Sequence, residues 1–292
     1  MNQIMNIPTN TMYAHNRAEN RYKFTGELKL THAMHIGSGW GDERTDALVV
    51  TNANGSPLIP GSSLRGVLRA EVERLLMGLF NPEDPDSLWA CQLYEPNLPS
   101  GKHCVGNTAH KLSKDVYEKL NEKNPDQIWQ ELPDHLCDAC RLFGAGTFWA
   151  SKIRFEDLEL EGSAQTSIRH GVGIHRDAGT AAPMVKYDKQ VVEAGAVFKF
   201  EAMAENLDET DKKLLALCFS RLTSGELTVG GSTSRGLGQC YLEHGHVEWI
   251  NMTNRKELLE YLKRNKYGTS ENLENFVEAG LEALFPDSGA GG

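Results

Sequence analysis

The sequence lacks any apolar run close to the roughly 20 residues that a membrane-spanning helix requires. Its N-terminus, MNQIMNIPTNTMYAHNRAENRYKF, also lacks the basic start, the apolar centre and the small-residue cleavage site of a secretory signal. We therefore expect a cytoplasmic protein with no membrane partner. Basic residues are in the minority, since 30 lysines and arginines face 40 aspartates and glutamates, for a net charge of −10. This balance argues against a non-specific coat on nucleic acid, but it is compatible with a local basic groove.

The chain of 292 residues is long enough for one large domain or two small ones. Residues 1–21 are polar and aperiodic, and they predict a flexible N-terminal arm. Between residues 22 and 250 the pattern predicts a strand, a helix, a long insert, two strands, a helix and a strand. This order is typical of an α+β fold with a ferredoxin-like or RRM-like core. Residues 251–292 predict a C-terminal extension, with helices over 255–266 and 270–284 and a disordered tail.

The clearest helix begins in the segment PLIPGSSLRGVLR. Apolar residues recur along it at helical spacing, namely Leu64, Val67, Leu68, Val72, Leu75 and Leu76. Ser62 or Ser63 is a candidate N-cap, and Arg65 and Arg69 lie one turn apart on the opposite face. A helix N-terminus with hydroxyls and arginines suits a phosphate, whereas the alternative is an ordinary capped helix with a solvated basic face.

Four of the six cysteines fall within residues 81–143, an insert rich in Pro, Asp, Asn and His with a weak helix over 111–124. They are Cys91, Cys104, Cys137 and Cys140. The last two form a C-x₂-C knuckle, and without an export signal we expect reduced thiols. Four sulfur ligands favour a closed, structural Zn²⁺ site whose metal would fold the insert. Unliganded thiols are the alternative, and the histidines that could replace one cysteine are His103, His110 and His135.

A glycine-rich loop, GGSTSRGLG at residues 230–238, connects two predicted strands. Its backbone N–H groups, three hydroxyls and one guanidinium suit an anion, although an ordinary turn is the alternative. The loop is neither a Walker A motif nor a dinucleotide fingerprint, because no Gly-Lys-Ser/Thr follows and the next element is a strand. The candidate ligands are Gly230, Gly231, Ser232, Thr233, Ser234 and Arg235. Separately, residues 165–195 predict an exposed β-hairpin.

Four motifs taken together resemble the RAMP superfamily of CRISPR-associated proteins. They are HIGSG at 35–39, PLIPGSSLRGVLR at 57–69, CRLFG at 140–144 and GGSTSRGLG at 230–238. More narrowly, the chain is similar to the repeated backbone subunit of type III effector complexes, in its zinc-containing variants, over about residues 22–245. The resemblance implies an RRM-like core with a zinc-binding insertion and a thumb β-hairpin, which wedges between guide and target RNA.

The resemblance also implies an endoribonuclease that cleaves complementary target RNA through metal-dependent attack of a ribose 2′-OH on the adjacent phosphate. Asp46 matches the context of the family's cleavage-promoting aspartate, with Asp42 and Glu43 as fallbacks, Arg44 as a candidate cation and Mg²⁺ as the metal. The implied partners are a CRISPR guide RNA, a complementary target RNA and other subunits, including further backbone subunits. The RNA-binding candidates are Ser62, Ser63, Arg65, Arg69, His175, Arg176, Lys186, Tyr187 and the six glycine-loop residues named above.

Three other functions stay open at the level of sequence. The first is a catalytically silent RNA-binding scaffold with the same fold. The second is a metal-independent guide-RNA-processing ribonuclease that uses histidines such as His35 or His175. The third is a zinc-stabilised protein-interaction module unrelated to RNA, which a copurifying RNA of defined length would exclude.

Overall fold

The structure is a computed structural model, and it describes residues 17–42, 45–84, 86–93, 97–99, 102–107, 109, 111–123, 131–146 and 149–286. Expectations for the arm up to residue 16, for Glu43, Arg44 and His110, and for the tail from residue 287 lie outside the described residues. Within the described ranges, no helix combines the length and the apolar character needed to cross a bilayer.

The elements follow one another in an α+β order. The strands are β1 (Asn20–Leu30), β2 (Leu58–Ile59), β3 (Ile153–Phe155), β4 (Leu158–Glu161), β5 (Thr166–Ile174), β6 (Ala181–Val192), β7 (Val197–Glu205), β8 (Leu227–Thr228), β9 (Gln239–Asn251) and β10 (Thr269–Asn272). The helices are α1 (Gly61–Leu79), α2 (Lys111–Asn121), α3 (Asp138–Phe143), α4 (Glu209–Thr223), α5 (Arg255–Arg264) and α6 (Leu273–Leu284).

An antiparallel sheet with β1 at its centre forms the core. Strand β1 pairs with β7 on one side and with β9 on the other, and β3 and β4 pair with the far edge of β7. Counted as core strands, β1 is the first, β3 with β4 the second, β7 the third and β9 the fourth. The spatial order is therefore fourth, first, third, second, which confirms the predicted ferredoxin-like order. Alternate residues of β1 point into the core; they are Tyr22, Phe24, Leu28 and Leu30. Helices α1 and α4 pack against each other, and α1 also contacts β3.

Helix α1 begins one residue before the predicted serine cap. Pro60 occupies the N-cap position and makes no side-chain cap hydrogen bond, so the prediction of Ser62 or Ser63 as N-cap is wrong. The backbone N–H of Gly61 instead donates to Asp157 Oδ1 at 2.8 Å. A carboxylate is favourable there because the aligned peptide dipoles leave partial positive charge at the start of a helix. The chain thus supplies its own anion at this helix terminus.

The predicted hairpin is present as a two-stranded sheet of β5 and β6. Its root is joined to the segment after β1, because Met34 and Val192 exchange both backbone hydrogen bonds at 2.8 Å. Several of its apolar side chains are exposed, namely Ile168, Val172, Ile174 and Val185. A two-stranded ribbon with exposed apolar residues has little core of its own, so its position depends on this root.

The C-terminal extension differs from the prediction in one element. The first predicted helix is α5, which ends at Arg264, where Asn265 adopts a left-handed conformation. The second helix begins only at Leu273, because Thr269–Asn272 pairs with β9 as strand β10. Helix α6 then packs on α4 so closely that a Cβ at Gly280 would lie 2.3 Å from Ala216 Cβ. The extension therefore covers the core next to α4.

Candidate RNA interface and metal centre

The four cysteines of the insert meet in one cluster beside helix α3. Their side chains are fully buried and free of disulfide bonds, and their sulfur atoms all lie within 4.8 Å of one another. The sulfurs of Cys91 and Cys140 are 3.6 Å apart. A tetrahedral zinc site with Zn–S bonds of about 2.3 Å has S···S edges of about 3.8 Å. The cluster is therefore compatible with a structural zinc ion, as the C-x₂-C spacing predicts.

Backbone donors surround the cluster, as they do in metal–thiolate knuckles. The N–H of Cys140 donates to Cys137 Sγ at 3.4 Å, and the N–H of Cys137 donates to Cys104 Sγ at 3.3 Å. Burial raises the pKa of the Cys137 thiol, and a bound cation would offset that effect. A Cβ at Gly106 would lie 2.7 Å from Cys140 Sγ, and only glycine leaves room there. The all-sulfur, enclosed donor set is that of a structural rather than a catalytic metal.

Two of the candidate substitute ligands bond to each other instead. His103 Nε2 and His135 Nδ1 lie 2.9 Å apart, and the metal-ligand cluster found among the described residues contains cysteines alone at this place. His110 lies outside the described residues. Among the residues the structure describes, four cysteines complete a tetrahedral set without a histidine.

Arg65 and Arg69 of α1 face the insert rather than solvent, and the RNA-binding prediction for Arg69 does not fit its burial. Arg69 is 8% exposed, and its guanidinium forms a salt bridge with Glu73 at 2.7 Å and donates to Gly144 O at 2.7 Å. Arg65 is half-buried and donates to Phe143 O. Burial, together with the neighbouring Arg69 charge, lowers the pKa of Arg65. The predicted basic face of α1 is therefore covered by α3, and it holds the carbonyl end of that helix.

Asp46 lies where its loop meets the hairpin strand β6. The backbone N–H of Asp188, 142 positions away, donates to Asp46 Oδ2 at 2.8 Å. The next residue, Ala47, pairs with Lys189 in a parallel bridge and thereby fixes this loop to the root of the hairpin. Asp46 itself is exposed. Its carboxylate is thus oriented by the hairpin strand while remaining open to solvent.

Basic side chains from the hairpin and the glycine loop meet on the strand whose Asp188 binds Asp46. Lys189 Nζ donates to Ser232 Oγ, and Arg235 donates to the Tyr187 hydroxyl. The cationic groups of Lys189 and Arg235 lie 5.9 and 5.7 Å from the centre of the Tyr187 ring, within the range of a cation–π interaction. We call this assembly the loop junction; its members are Asp46, Tyr187, Asp188, Lys189, Ser232 and Arg235.

The glycine loop is anchored below the junction by His35. The N–H of Gly231 donates to His35 O at 2.8 Å, and a Cβ at Gly230 would lie 2.4 Å from that oxygen. Gly230 also has φ +87°, a conformation that glycine adopts at low cost. The His35 ring is buried, with Nδ1 2.7 Å from Gln190 O. This histidine joins the loop to the hairpin, and its burial removes it from the surface where RNA would bind.

The remaining candidate ligands lie outside the loop junction. Ser62 is exposed and Ser63 is half-buried at the start of α1, near the Asp157 carboxylate. His175 and Arg176 are exposed at the tip of the hairpin. The exposed residues Thr233, Ser234 and Lys186 lie on the glycine loop and on β6. These groups are candidate donors to RNA, and they do not share the contacts of the junction.

Sequence reasoning missed three polar residues at the hairpin root. They are His170, Asp188 and Lys189. The register of β5 and β6 pairs His170 with Asp188, and His170 Nδ1 lies 2.6 Å from Asp188 Oδ1. No spacing rule connects these residues to Asp46 before that register and the docking of the loop are known. The one available signal is the run Lys186-Tyr-Asp-Lys189, which puts two cations on the strand that leaves the hairpin tip.

Comparison with known proteins agrees with these motifs. The model of the RAMP superfamily matches residues 27–241 of this chain. The chain is 26% identical over 225 residues to the CRISPR system Cms endoribonuclease Csm3 of Methanocaldococcus jannaschii, covering 73% of this chain and 75% of that protein. The family match includes strands β2 to β8, the cysteine cluster and the loop junction. The chain therefore belongs to the RAMP superfamily.

Proposed function

We propose that this chain is the repeated backbone subunit of a type III CRISPR effector, and that it cleaves target RNA complementary to a bound guide RNA. The observation that carries the proposal is the loop junction, where Asp46 is held by the hairpin strand that also binds the glycine loop through Lys189 and Tyr187. The relative named above is itself called an endoribonuclease of a CRISPR system. In the cytoplasm the partners would be guide RNA, target RNA and other subunits, including further copies of this chain.

Phosphate binding is the first task of such a subunit. Lys189 and Arg235 supply positive charge, and the exposed hydroxyls of the glycine loop add donors without adding net charge. A net charge of −10 is therefore compatible with a local RNA site, and affinity would accumulate along a row of subunits on one guide. The proposed RNA ligands are Ser62, Ser63, His175, Arg176, Lys186, Tyr187, Gly230, Gly231, Ser232, Thr233, Ser234 and Arg235.

The hairpin would act as the wedge between guide and target. It offers exposed apolar side chains, among them Val172 and Ile174, together with the exposed cation Lys186. In a stacked A-form duplex the 2′-OH is not in line with the adjacent phosphate, and displacing a base pair frees the ribose to reach that geometry. Because Asp188 belongs to the hairpin and binds Asp46, the wedge and the proposed cleavage residue are fixed to each other.

Asp46 is the proposed catalytic residue. Mg²⁺ is typically bound through one or two carboxylates, with waters and substrate phosphate as its other ligands, and the exposed carboxylate of Asp46 fits that requirement. When bound, the ion would polarise the scissile phosphate and favour ionisation of the 2′-OH. The 2′-oxygen would lose its proton to solvent and bond to phosphorus, while the bond to the 5′-oxygen breaks and that oxygen takes a proton from water. Lys189 and Arg235 would stabilise the negative charge that builds up at phosphorus.

Metal-independent processing of the guide is the weaker alternative. His35, one of the histidines it would require, is 8% exposed and hydrogen-bonded to Gln190 O. A buried ring that joins two loops is badly placed to exchange protons with an RNA backbone. The other candidate, His175, is exposed at the hairpin tip.

The test is cleavage of a guide-complementary RNA by the assembled complex, in Mg²⁺ and in EDTA, with a non-complementary RNA of equal length as control. We expect the complementary RNA to be cut in Mg²⁺ and to stay intact in EDTA. The 5′ product should end in a 2′,3′-cyclic phosphate. Cleavage that persists in EDTA would favour the metal-independent ribonuclease. Tight target binding without cleavage would favour the silent scaffold, and purification without any RNA of defined length would remove the proposal altogether.

A further inference from the structure

Arg69 makes a third contact, in addition to its salt bridge with Glu73 and its hydrogen bond to the carbonyl of Gly144 at the end of α3. Its Nη2 donates to Cys140 Sγ at 3.1 Å, inside the cysteine cluster. The other two nitrogens of the guanidinium are already bonded, Nε to Glu73 and Nη1 to Gly144 O. A single buried side chain therefore connects α1, the end of α3 and the cysteine cluster.

The sulfur of Cys140 is a good partner for this guanidinium only as a thiolate. Neutral thiols are weak hydrogen-bond acceptors, whereas a thiolate bound to a metal carries negative charge and accepts well. A buried cation is costly unless it is paired and hydrogen-bonded, and the third nitrogen of Arg69 bonds sulfur. A guanidinium stays protonated in proteins, and Glu73 Oε1, 2.7 Å from Nε, supplies a compensating negative charge beside the cluster.

We propose that Arg69 is a positioning residue of the zinc centre: its hydrogen bond to Cys140 stabilises the metal-bound thiolate and ties the centre to helix α1. A Zn²⁺ ion with four thiolates carries two negative charges, and hydrogen bonds from outer groups disperse such charge and orient the ligands. The inference concerns the metal centre and does not depend on whether Asp46 cleaves RNA.

The same helix supplies a matched control. Arg65 lies one turn before Arg69 and also bonds a carbonyl at the end of α3, that of Phe143. Arg65 bonds a backbone oxygen, whereas Arg69 bonds a sulfur atom of the cluster as well as a backbone oxygen. If both arginines merely held α3 in place, replacing either one would have the same effect on the metal. If Arg69 acts on the thiolate, its loss alone changes the electronic state of the metal–sulfur bond.

The experiment uses the full chain with Co²⁺ in place of zinc, in the wild type, Arg69→Met and Arg65→Met. A hydrogen bond stabilises the sulfur lone pairs, so its loss moves the sulfur-to-cobalt charge-transfer band to longer wavelength. We expect that shift in Arg69→Met and none in Arg65→Met, with tetrahedral d–d bands retained in both. In the zinc proteins, a chelator should extract the ion about 10–100-fold faster from Arg69→Met than from the wild type.

An Arg69→Met band at the wild-type position, or an equal shift in both variants, would overturn the proposal. Unchanged zinc extraction from Arg69→Met would overturn it as well. If Arg69→Met does not fold, Arg69→Lys replaces it, because one ammonium keeps the charge but cannot reach Glu73, Gly144 and Cys140 together. A smaller shift in the same direction supports the proposal, and a wild-type spectrum in Arg69→Lys contradicts it.

Discussion

The cysteine cluster and the loop junction are two polar centres built in opposite ways. The cluster is fully buried, and its four sulfurs face one another around a space suited to one metal ion. The loop junction lies at the surface, where Asp46 and Arg235 are exposed. Each centre contains an arginine, yet Arg69 is enclosed beside sulfur and Arg235 lies on a tyrosine at the surface.

The difference between the two arginines shows that exposure, rather than residue type, decides whether a basic side chain binds groups inside the fold or ligands outside it. An enclosed guanidinium is available to groups inside the fold, so it stabilises structure and an internal anion. An exposed guanidinium beside donors and an aromatic ring is available to an external polyanion such as RNA. The comparison predicts that damage to the cluster lowers stability and damage to the junction lowers RNA binding.

The largest expected effect is loss of a cluster cysteine. We predict that Cys140→Ala abolishes zinc binding and lowers the free energy of unfolding by more than about 4 kcal/mol, because the insert is organised around the metal. Cys218→Ala removes an equally buried sulfur outside the cluster and should cost about 1 kcal/mol with zinc retained. Zinc content and urea denaturation of both variants check this. Equal destabilisation of the two, or zinc retained in Cys140→Ala, would contradict the assigned metal centre.

The next effect is on RNA affinity at the junction. We predict that Arg235→Met weakens binding of single-stranded, guide-length RNA about tenfold and lowers the salt dependence by about 0.7, the value for one phosphate contact. Arg264→Met makes the same charge change on α5 and should leave both quantities close to the wild type. A salt titration of the dissociation constant measures them. If the two variants weaken binding equally, net charge rather than the junction governs RNA binding.

The smallest effect concerns the start of α1. We predict that Asp157→Ala lowers the free energy of unfolding by about 1 kcal/mol, because its carboxylate accepts the Gly61 N–H at the helix N-terminus. Ser62→Ala should have almost no effect, since that side chain lies past the N-cap position and is exposed. Urea denaturation of the two variants measures the difference. A larger cost for Ser62→Ala would restore the serine cap suggested by the sequence.

The sequence allowed the cluster to be predicted better than the junction. The C-x₂-C spacing and two further cysteines in a coreless insert pointed to one metal site, because thiolates have few other reasons to gather in a reduced protein. The ferredoxin-like order and the hairpin followed from the alternation of strands and helices. The burial of Arg69 could not be predicted. Helical spacing put Arg69 opposite the apolar face of Leu64 and Leu68, where a solvated side chain is expected, but α3 covers that face. The contact between Asp46 and Asp188 required the docking of segments 142 positions apart.

The central claim is that Asp46 at the loop junction cleaves target RNA, and one paired measurement tests it directly. Asp46→Asn keeps an acceptor for the Asp188 N–H and removes the charge, while Asp42→Asn makes the same change four residues earlier and keeps an oxygen for the Thr45 N–H. The account predicts that Asp46→Asn slows cleavage of the guide-complementary RNA in Mg²⁺ by at least about 100-fold, with target binding unchanged, and that Asp42→Asn cleaves like the wild type. Wild-type cleavage by Asp46→Asn, or the loss of cleavage in Asp42→Asn instead, would contradict it.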